Sequence, residues 1–178
     1  VALGMNSMWS ELPSLPDNAS SPSTTDTSGT DLEEDTTPRK WNEVFEEKIF
    51  VRVGDDDFCV YLAGMAKEPS TVCVMLHGGG HCALSWGLVA ENLKKNCGVL
   101  AYDARGHGDS KCKDERDLSA QVQVADAAAV VQGAFAHRGQ GMPDLVICGH
   151  SMGGAIAIRL AASGLLSPSL KGMVIIDV

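Results

Sequence analysis

The sequence has no long apolar run, no C-x-x-C cysteine pair and few basic residues, and each of these absences excludes a class of protein. No apolar run approaches the ~20 residues that a membrane helix needs. No basic patch with interleaved aromatic residues indicates nucleic-acid binding. The six cysteines, without a C-x-x-C pair, are predicted to be free thiols in a reduced compartment. We therefore expect an intracellular protein, cytoplasmic or nuclear, with no nucleic-acid partner and no membrane partner.

Residues 1–40 carry much of the negative charge. The formal net charge of the sequence is −9, and this segment holds seven acidic residues against Arg39 and Lys40. From about Glu11 onward it consists of Ser, Thr, Pro, Asp and Glu with almost nothing apolar. Such a segment cannot bury enough surface to offset the entropy lost on ordering. We predict a disordered acidic tail over 1–40 and a folded domain over 41–178.

Strand-like and helix-like segments alternate after Trp41. An antiparallel hairpin at a sheet edge is predicted at 49–53 and 58–63, with a turn at 54–57. Continuous apolar runs, typical of strands covered on both faces, lie at 72–76, 98–102, 145–148 and 173–176. Helical patterns lie between them at 84–95, at 119–137 and after Ser151 as far as Gly164. The alternation predicts an α/β fold: a doubly wound, mostly parallel sheet with an N-terminal antiparallel hairpin, truncated after the strand ending at Ile176.

The apolar run at 145–148 leads into Gly149-His-Ser-Met-Gly153, which has the pattern G-x-S-x-G. A serine on a tight strand-to-helix turn has strained backbone geometry, and side chains two residues to either side would collide there. The turn also places the hydroxyl at a helix N-terminus, whose N–H groups favour a developing oxyanion. We interpret Ser151 as a candidate nucleophile, although a glycine-rich turn after a strand is often only a turn.

A second motif, His77-Gly78-Gly79-Gly80, directly follows the strand predicted at 72–76. Glycine backbone can direct an N–H group into a site, where it would form an oxyanion hole with the Met152 N–H. The alternative, a phosphate-binding loop, needs a Lys-Ser/Thr step that is absent here. We predict that Gly79, Gly80 and Met152 form the oxyanion hole.

Two further motifs follow predicted strands. The turn at 103–110, Asp-Ala-Arg-Gly-His-Gly-Asp-Ser, is predicted to be structural, with Asp103 and Arg105 bracing it through hydrogen bonds. Asp177 follows the run at 173–176, beside the predicted nucleophile strand, and could orient an imidazole. It could equally open a loop, and the residues alone leave both interpretations open.

Four segments in colinear order are similar to the protein phosphatase methylesterases, a family of α/β-hydrolases. They are Leu-His-Gly-Gly-Gly-His-Cys-Ala-Leu-Ser-Trp at 76–86, Asp-Leu-Ser-Ala at 117–120, Gly-His-Ser-Met-Gly-Gly-Ala-Ile-Ala at 149–157 and Ile-Asp-Val at 176–178. The similarity runs from about Trp41 to Val178 and excludes the tail. It implies an α/β-hydrolase fold in which Ser151 is the nucleophile and Asp177 is the catalytic acid of the triad.

The resemblance further implies a reaction and a partner. The family removes the methyl ester from the C-terminal leucine of the protein phosphatase 2A catalytic subunit, with no metal or organic cofactor. Its catalytic histidine lies beyond the aspartate, and none of the five histidines present here easily replaces it. We therefore expect the N-terminal part of an enzyme, nearly inert alone, since loss of a triad member costs on the order of 10⁴-fold. Two alternatives stay open: another α/β-hydrolase carboxylesterase or lipase, and a non-catalytic phosphatase-binding fragment.

Overall fold

The computed structural model describes Thr37 and residues 39–178. The predicted disorder of residues 1–40 therefore lies almost entirely outside the described residues. Arg39, at the start of the described part, donates from Nη1 to Glu91 Oε2 at 2.9 Å. Across the same residues, no helix combines the length and the apolar character that a membrane crossing requires.

In the described part of the chain, six strands form one sheet. They are β1 (Glu47–Val53), β2 (Asp56–Ala63), β3 (Thr71–Leu76), β4 (Gly98–Tyr102), β5 (Asp144–His150) and β6 (Leu170–Ile176). The helices are α1 (Gly87–Leu93), α2 (Ala120–His137) and α3 (Met152–Ser163), with short 3-10 turns at Trp41–Glu43 and Ala83–Trp86. Every predicted strand and helix is present, with ends shifted by up to three residues.

The strands lie in the order β1-β2-β4-β3-β5-β6. The four strands β4, β3, β5 and β6 are parallel, whereas β1 and β2 form an antiparallel hairpin that pairs with β4. The chain places β4 on one side of β3 and β5 on the other, so the winding direction reverses at β3. In open α/β sheets ligands bind at such a reversal, at the carboxyl ends of the strands. The predicted doubly wound, mostly parallel sheet with an edge hairpin is confirmed.

Both faces of the sheet are covered, as continuous apolar strands require. On one face α2 and α3 pack against the sheet, and Ala128, Val131 and Phe135 of α2 are buried there. On the other face Phe45, the 3-10 turn at Ala83–Trp86 and α1 pack against Tyr61 and Met75. The two layers hold the central strands rigidly, which positions the loops at their carboxyl ends.

Two element boundaries differ from the prediction because backbone groups pair across loops. The turn predicted at 54–57 is shorter: Asp56 and Asp57 belong to β2, and Asp57 exchanges backbone hydrogen bonds with Lys111. The helix predicted at 84–95 begins as a 3-10 turn and becomes α-helical only at Gly87. The Ala83 N–H donates to Asp103 Oδ1 at 2.7 Å, which holds the first turn against the end of β4.

The last strand is longer and more exposed than predicted. β6 begins at Leu170 rather than 173, since its backbone pairs with β5 through the polar and glycine residues that precede the apolar run. Met173, Val174 and Ile176 are 43%, 47% and 44% exposed, so the expectation of a strand buried on both faces is wrong for the described residues. The reason is position: β6 is the outer strand of the sheet.

Candidate active site

Ser151 lies on the tight turn between β5 and α3, with φ 49° and ψ −118°. A positive φ is strained for a residue with a side chain, and such strain is typical of functional sites. A Cβ on Gly149 would overlap the Gly153 carbonyl, and a Cβ on Gly153 would overlap the Leu76 carbonyl. Glycine is therefore required on both sides of the serine, as the sequence pattern predicted. The turn presents Ser151 at the carboxyl end of β5, where the winding of the sheet reverses.

Asp177 lies beside this turn at the end of the neighbouring strand. The Ser151 N–H donates to the Ile176 carbonyl at 3.0 Å, so the backbone preceding Asp177 is tied to the serine turn. Asp177 itself is exposed and has a positive φ of 50°. The structure thus brings together the two residues predicted for a catalytic triad, and the catalytic role of Asp177 stays a prediction.

The glycine loop after β3, residues 77–81, faces the serine turn. A Cβ built on Gly78 would lie 3.5 Å from Ser151 Cβ, and one built on Gly79 would lie 3.9 Å from Met152 Sδ. The Gly80 N–H is already engaged, because it donates to His107 Nε2 at 3.1 Å. The loop is therefore adjacent to Ser151, and its role as an oxyanion hole stays a prediction.

None of the five histidines, all of which the structure describes, forms a hydrogen bond with Ser151 Oγ. His150 precedes Ser151, but its ring lies against Gly78 and against the His81 ring, whose centroid is 5.7 Å away. His81 Nδ1 lies 3.3 Å from Ser85 Oγ. Among the described residues, the candidate nucleophile Ser151 therefore has no imidazole positioned to activate it.

His77 begins the glycine loop and is buried. Its burial lowers the pKa of the imidazole, which favours the neutral ring. Nδ1 donates to the Gly78 carbonyl at 2.8 Å, and Nε2 accepts the Ala104 N–H at 2.9 Å. A carbonyl can only accept and a backbone N–H can only donate, so these two partners define the tautomer. His77 is thus a structural link between two loops rather than a general base.

An apolar cavity of about 280 Å³ opens beside the serine turn. Its walls include His77, His81, Trp86, Val89, His150 and Ile176. Trp86 is 7% exposed, and its Nε1 is the one buried side-chain polar atom, among the described residues, without a hydrogen-bond partner. A larger cavity of about 440 Å³ lies near the amino ends of β3 and β5, lined by residues such as Met65, Ser70 and Phe135, far along the strands from the serine. We assign the smaller cavity to the candidate active site because Gly78 and His150, which lie next to Ser151, form part of its wall.

The turn at 103–110 is structural in the way that the sequence predicted. Asp103 accepts the backbone N–H groups of Ala83 and Asp109. Arg105 donates from Nε and Nη2 to the buried Asp126 at 2.8 and 2.9 Å, and Nη2 also contacts Asp56 at 2.7 Å. A buried guanidinium is stable only when carboxylates compensate its charge and hydrogen bonds, as they do here.

One group of side chains has the spacing of a metal site. Ligand atoms of Cys59, Asp103 and Asp109 lie within 4.8 Å of one another. Burial raises the pKa of the Cys59 thiol to about 11, so the sulfur is protonated rather than a thiolate ligand at neutral pH. The Lys48 ammonium already lies 2.6 Å from Asp109 Oδ2. The cluster of Cys59, Asp103 and Asp109 therefore suits the Lys48 ammonium better than a metal ion.

The sequence did not predict the His107 to Gly80 hydrogen bond or the cavity beside Trp86. The sequence indicates only that His107 lies in a turn, because its acceptor role depends on a loop 27 residues away in the chain. The signal that could have indicated it is the Gly-His-Gly spacing at 106–108, which places a polar ring between two permissive glycines. The cavity wall combines Val89 of α1, His150 of β5 and Ile176 of β6, and no local pattern shows that these residues meet.

Comparison with known proteins gives relatives over most of the described chain. Protein phosphatase methylesterase 1 of Mus musculus is 41% identical over 150 residues, which are 81% of this chain and 37% of that protein. The Homo sapiens protein of the same name is 40% identical over 150 residues, with the same shares of 81% and 37%. The chain thus spans less than two fifths of the length of these curated relatives.

Solved structures share the fold. The thioesterase domain from the curacin biosynthetic pathway is similar to this chain with a TM-score of 0.61 and 26% identity. The match covers 72% of this chain and 45% of the chain of that domain. Residues 73–178 match the family model described as the alpha/beta hydrolase family. That stretch contains the glycine loop, the Ser151 turn and the reversal of winding at β3, which are the features that this fold places around its site. The chain belongs to the alpha/beta hydrolase family.

Proposed function

We propose that this chain supplies the nucleophile of a serine carboxylic-ester hydrolase that removes the methyl ester from the C terminus of the protein phosphatase 2A catalytic subunit. The proposal rests on the backbone geometry of Ser151, which has φ 49° and ψ −118° between β5 and α3. This geometry exposes the hydroxyl at a helix N-terminus. The names of the relatives from mouse and human support the substrate class.

In the proposed reaction Ser151 Oγ attacks the carbonyl carbon of the ester, and its proton passes to an imidazole base. Backbone N–H groups of the glycine loop and of Met152 stabilise the resulting oxyanion. The carbonyl re-forms, the methoxy group leaves with the proton as methanol, and the phosphatase C terminus stays bound to Oγ. Water then attacks this acyl-enzyme and releases a free carboxylate and the serine hydroxyl. Asp177 orients the imidazole and stabilises its positive charge.

The base in this scheme is a histidine of the longer protein. None of the histidines in this chain forms a hydrogen bond with Ser151 Oγ, and this chain spans 37% of the mouse relative. The apolar cavity beside Ser151, with Val89 and Ile176 in its wall, supports an apolar acyl residue such as leucine. We also propose an intracellular location, supported by the six unpaired cysteines and testable by fractionation of cells expressing the protein.

Ser151→Ala in the full-length protein tests the proposal. We expect single-turnover demethylation of the methylated phosphatase to fall by about 10⁴-fold or more, and fluorophosphonate labelling to disappear. The melting temperature should change little, because deletion of one hydroxyl on a turn leaves no cavity. The control is Ser163→Ala at the exposed end of α3, which should label like the unmodified protein.

The same assays separate the alternatives. Hydrolysis of a p-nitrophenyl ester without demethylation of the phosphatase would indicate another carboxylesterase of the same family. Phosphatase binding without labelling of Ser151 would indicate a non-catalytic binding protein. Either result would remove the proposed function.

A further inference from the structure

The proposed reaction leaves the turn at 103–110 without a role beyond its own stability. The structure places this turn against the glycine loop at 77–81 and joins the two by a reciprocal pair of hydrogen bonds. His77 Nε2 accepts the Ala104 N–H at 2.9 Å, and His107 Nε2 accepts the Gly80 N–H at 3.1 Å. The two imidazole rings lie 5.0 Å apart, edge to face. Each loop thus contributes one histidine that binds the backbone of the other.

The partners of His107 define its tautomer. Nδ1 lies 2.8 Å from the Arg105 carbonyl, which can only accept a hydrogen bond, so the proton is on Nδ1. Nε2 therefore has a free lone pair, which is directed at the Gly80 N–H. Ring orientation and tautomer are both determined by backbone groups, as they are for imidazoles that position other groups.

Buried ion pairs and backbone hydrogen bonds hold the turn behind His107 in place. The Arg105 side chain is 8% exposed and is held by Asp126 and Asp56 at 2.7 to 2.9 Å. Asp103, at the start of the turn, accepts two further backbone N–H groups. The carbonyl that orients His107 thus belongs to a turn that several side-chain hydrogen bonds hold in place, so His107 can position the glycine loop.

The consequence concerns the two glycines predicted for the oxyanion hole. The Gly80 N–H already donates to His107. Gly79 lies next to Met152, the other predicted donor, because a Cβ built on Gly79 would lie 3.9 Å from Met152 Sδ. We propose that His107 is a positioning residue that fixes Gly80, so that Gly79 and Met152 donate to the oxyanion. The inference rests on the proposed ester hydrolysis and assigns the donors of that same site.

Two substitutions of His107 in the full-length enzyme separate positioning from simple structural support. In His107→Gln the amide oxygen can reach the place of Nε2 and accept the Gly80 N–H. In His107→Asn the shorter amide can donate to the Arg105 carbonyl but does not reach Gly80. Asn thus keeps the turn and loses the link to the loop, whereas Gln keeps the link.

We expect His107→Asn to lower kcat by about 10- to 100-fold with KM nearly unchanged, part of the loss seen when an oxyanion donor is removed outright. Binding of an alkyl boronic acid, which forms a tetrahedral adduct with a nucleophilic serine, should weaken by a similar factor. His107→Gln should restore both quantities to within about threefold, since its oxygen accepts the same hydrogen bond. Melting temperatures of both variants should agree within about 2 °C, which excludes a difference in folding.

Equal kcat values for the unmodified enzyme and His107→Asn would overturn the proposal. So would equal losses in Asn and Gln, because the acceptor would then be irrelevant. The rate of fluorophosphonate labelling of Ser151 is measured in parallel, since that reaction also places negative charge near the oxyanion donors. If the unmodified enzyme demethylates no phosphatase, the proposed substrate fails, and the labelling rates of the two variants still decide the role of His107.

Discussion

β5 and β6 are neighbouring parallel strands of seven residues each. Their backbones end in a similar way, but their side chains differ in burial. Each is followed by a non-glycine residue with positive φ, Ser151 at 49° and Asp177 at 50°. Most apolar side chains of β5 are buried, with Ile147 fully inaccessible, whereas Val174 of β6 is 47% exposed. Two strands of one sheet can thus offer similar ends to a site while only one of them is enclosed by the described residues.

The difference shows what holds each end in place. Ser151 is supported by β3 beneath it, by α3 after it and by the two glycines that let these elements approach. Asp177 is tied to the same turn through one hydrogen bond from Ser151 to Ile176. The described residues therefore hold the candidate nucleophile Ser151 in place from several sides, whereas they give Asp177, the predicted acid, less support.

Asp177→Asn in the full-length enzyme is the strongest way to test the comparison. If Asp177 holds an imidazole in its productive tautomer, the rate should fall by about 10³- to 10⁴-fold, or about 4–5 kcal/mol, with the melting temperature preserved. An aspartate that merely opens a loop would tolerate asparagine, which is also a good turn residue. Single-turnover demethylation measured beside a thermal melt decides between them, and a loss below tenfold would remove Asp177 from the site.

A matched pair of glycine substitutions compares how tightly neighbouring atoms surround the turn after β5 and the strand β6. Gly153→Ala should destabilise the protein by about 3 kcal/mol or more, because the new Cβ would overlap the Leu76 carbonyl of β3. Gly172→Ala in β6 should be tolerated, since its Cβ would lie 3.8 Å from Val146, an ordinary contact. Urea denaturation measures both. Equal stability of the two variants would show that the serine turn is less constrained than the structure indicates.

A second pair tests the burial of the two strands. Ile147→Ala should cost about 2–5 kcal/mol of unfolding free energy, because it leaves a cavity in the core. Val174→Ala should cost only about 0.5 kcal/mol while its side chain is half exposed. A large loss for Val174→Ala in the full-length protein would mean that further protein covers β6 there. The difference in burial between β5 and β6 would then hold for the 178-residue chain but not for the full-length protein.

The smallest expected effect concerns His77, in the loop that packs against the end of β5. Burial lowers the pKa of His77 in the folded protein below its ordinary value near 6.5. The unfolded chain therefore binds a proton that the folded chain resists, so stability is complete above about pH 6.5 and falls as the pH drops below it. His77→Gln, whose amide can accept the Ala104 N–H, should flatten the melting temperature between pH 7.5 and about pH 5.5. A slope unchanged by the substitution would assign this pH dependence to other groups.

Much of the fold could be predicted because its signals are local. The apolar runs of β3, β4 and β5 are long enough to identify buried strands, and the G-x-S-x-G pattern identified a turn whose glycines are required by contact with neighbouring backbone. The bracing roles of Asp103 and Arg105 also followed from residue type. The exposure of β6 could not be predicted in this way, since an apolar run looks the same at the centre of a sheet and at its edge.

The sequence by itself determined the strands, the helices and the position of Ser151 on its turn, because hydrophobic periodicity and glycine spacing act within a few residues. Only the tertiary structure decided the strand order, the cavity beside Trp86 and the hydrogen bond from Gly80 to His107. Contacts between residues far apart in the chain contribute to each of these features, such as Gly80 and His107, which are 27 positions apart, so they depend on how the elements pack. The choice of Gly79 rather than Gly80 as the expected oxyanion donor is of this second kind, since two adjacent glycines differ only in what the fold places opposite their N–H groups.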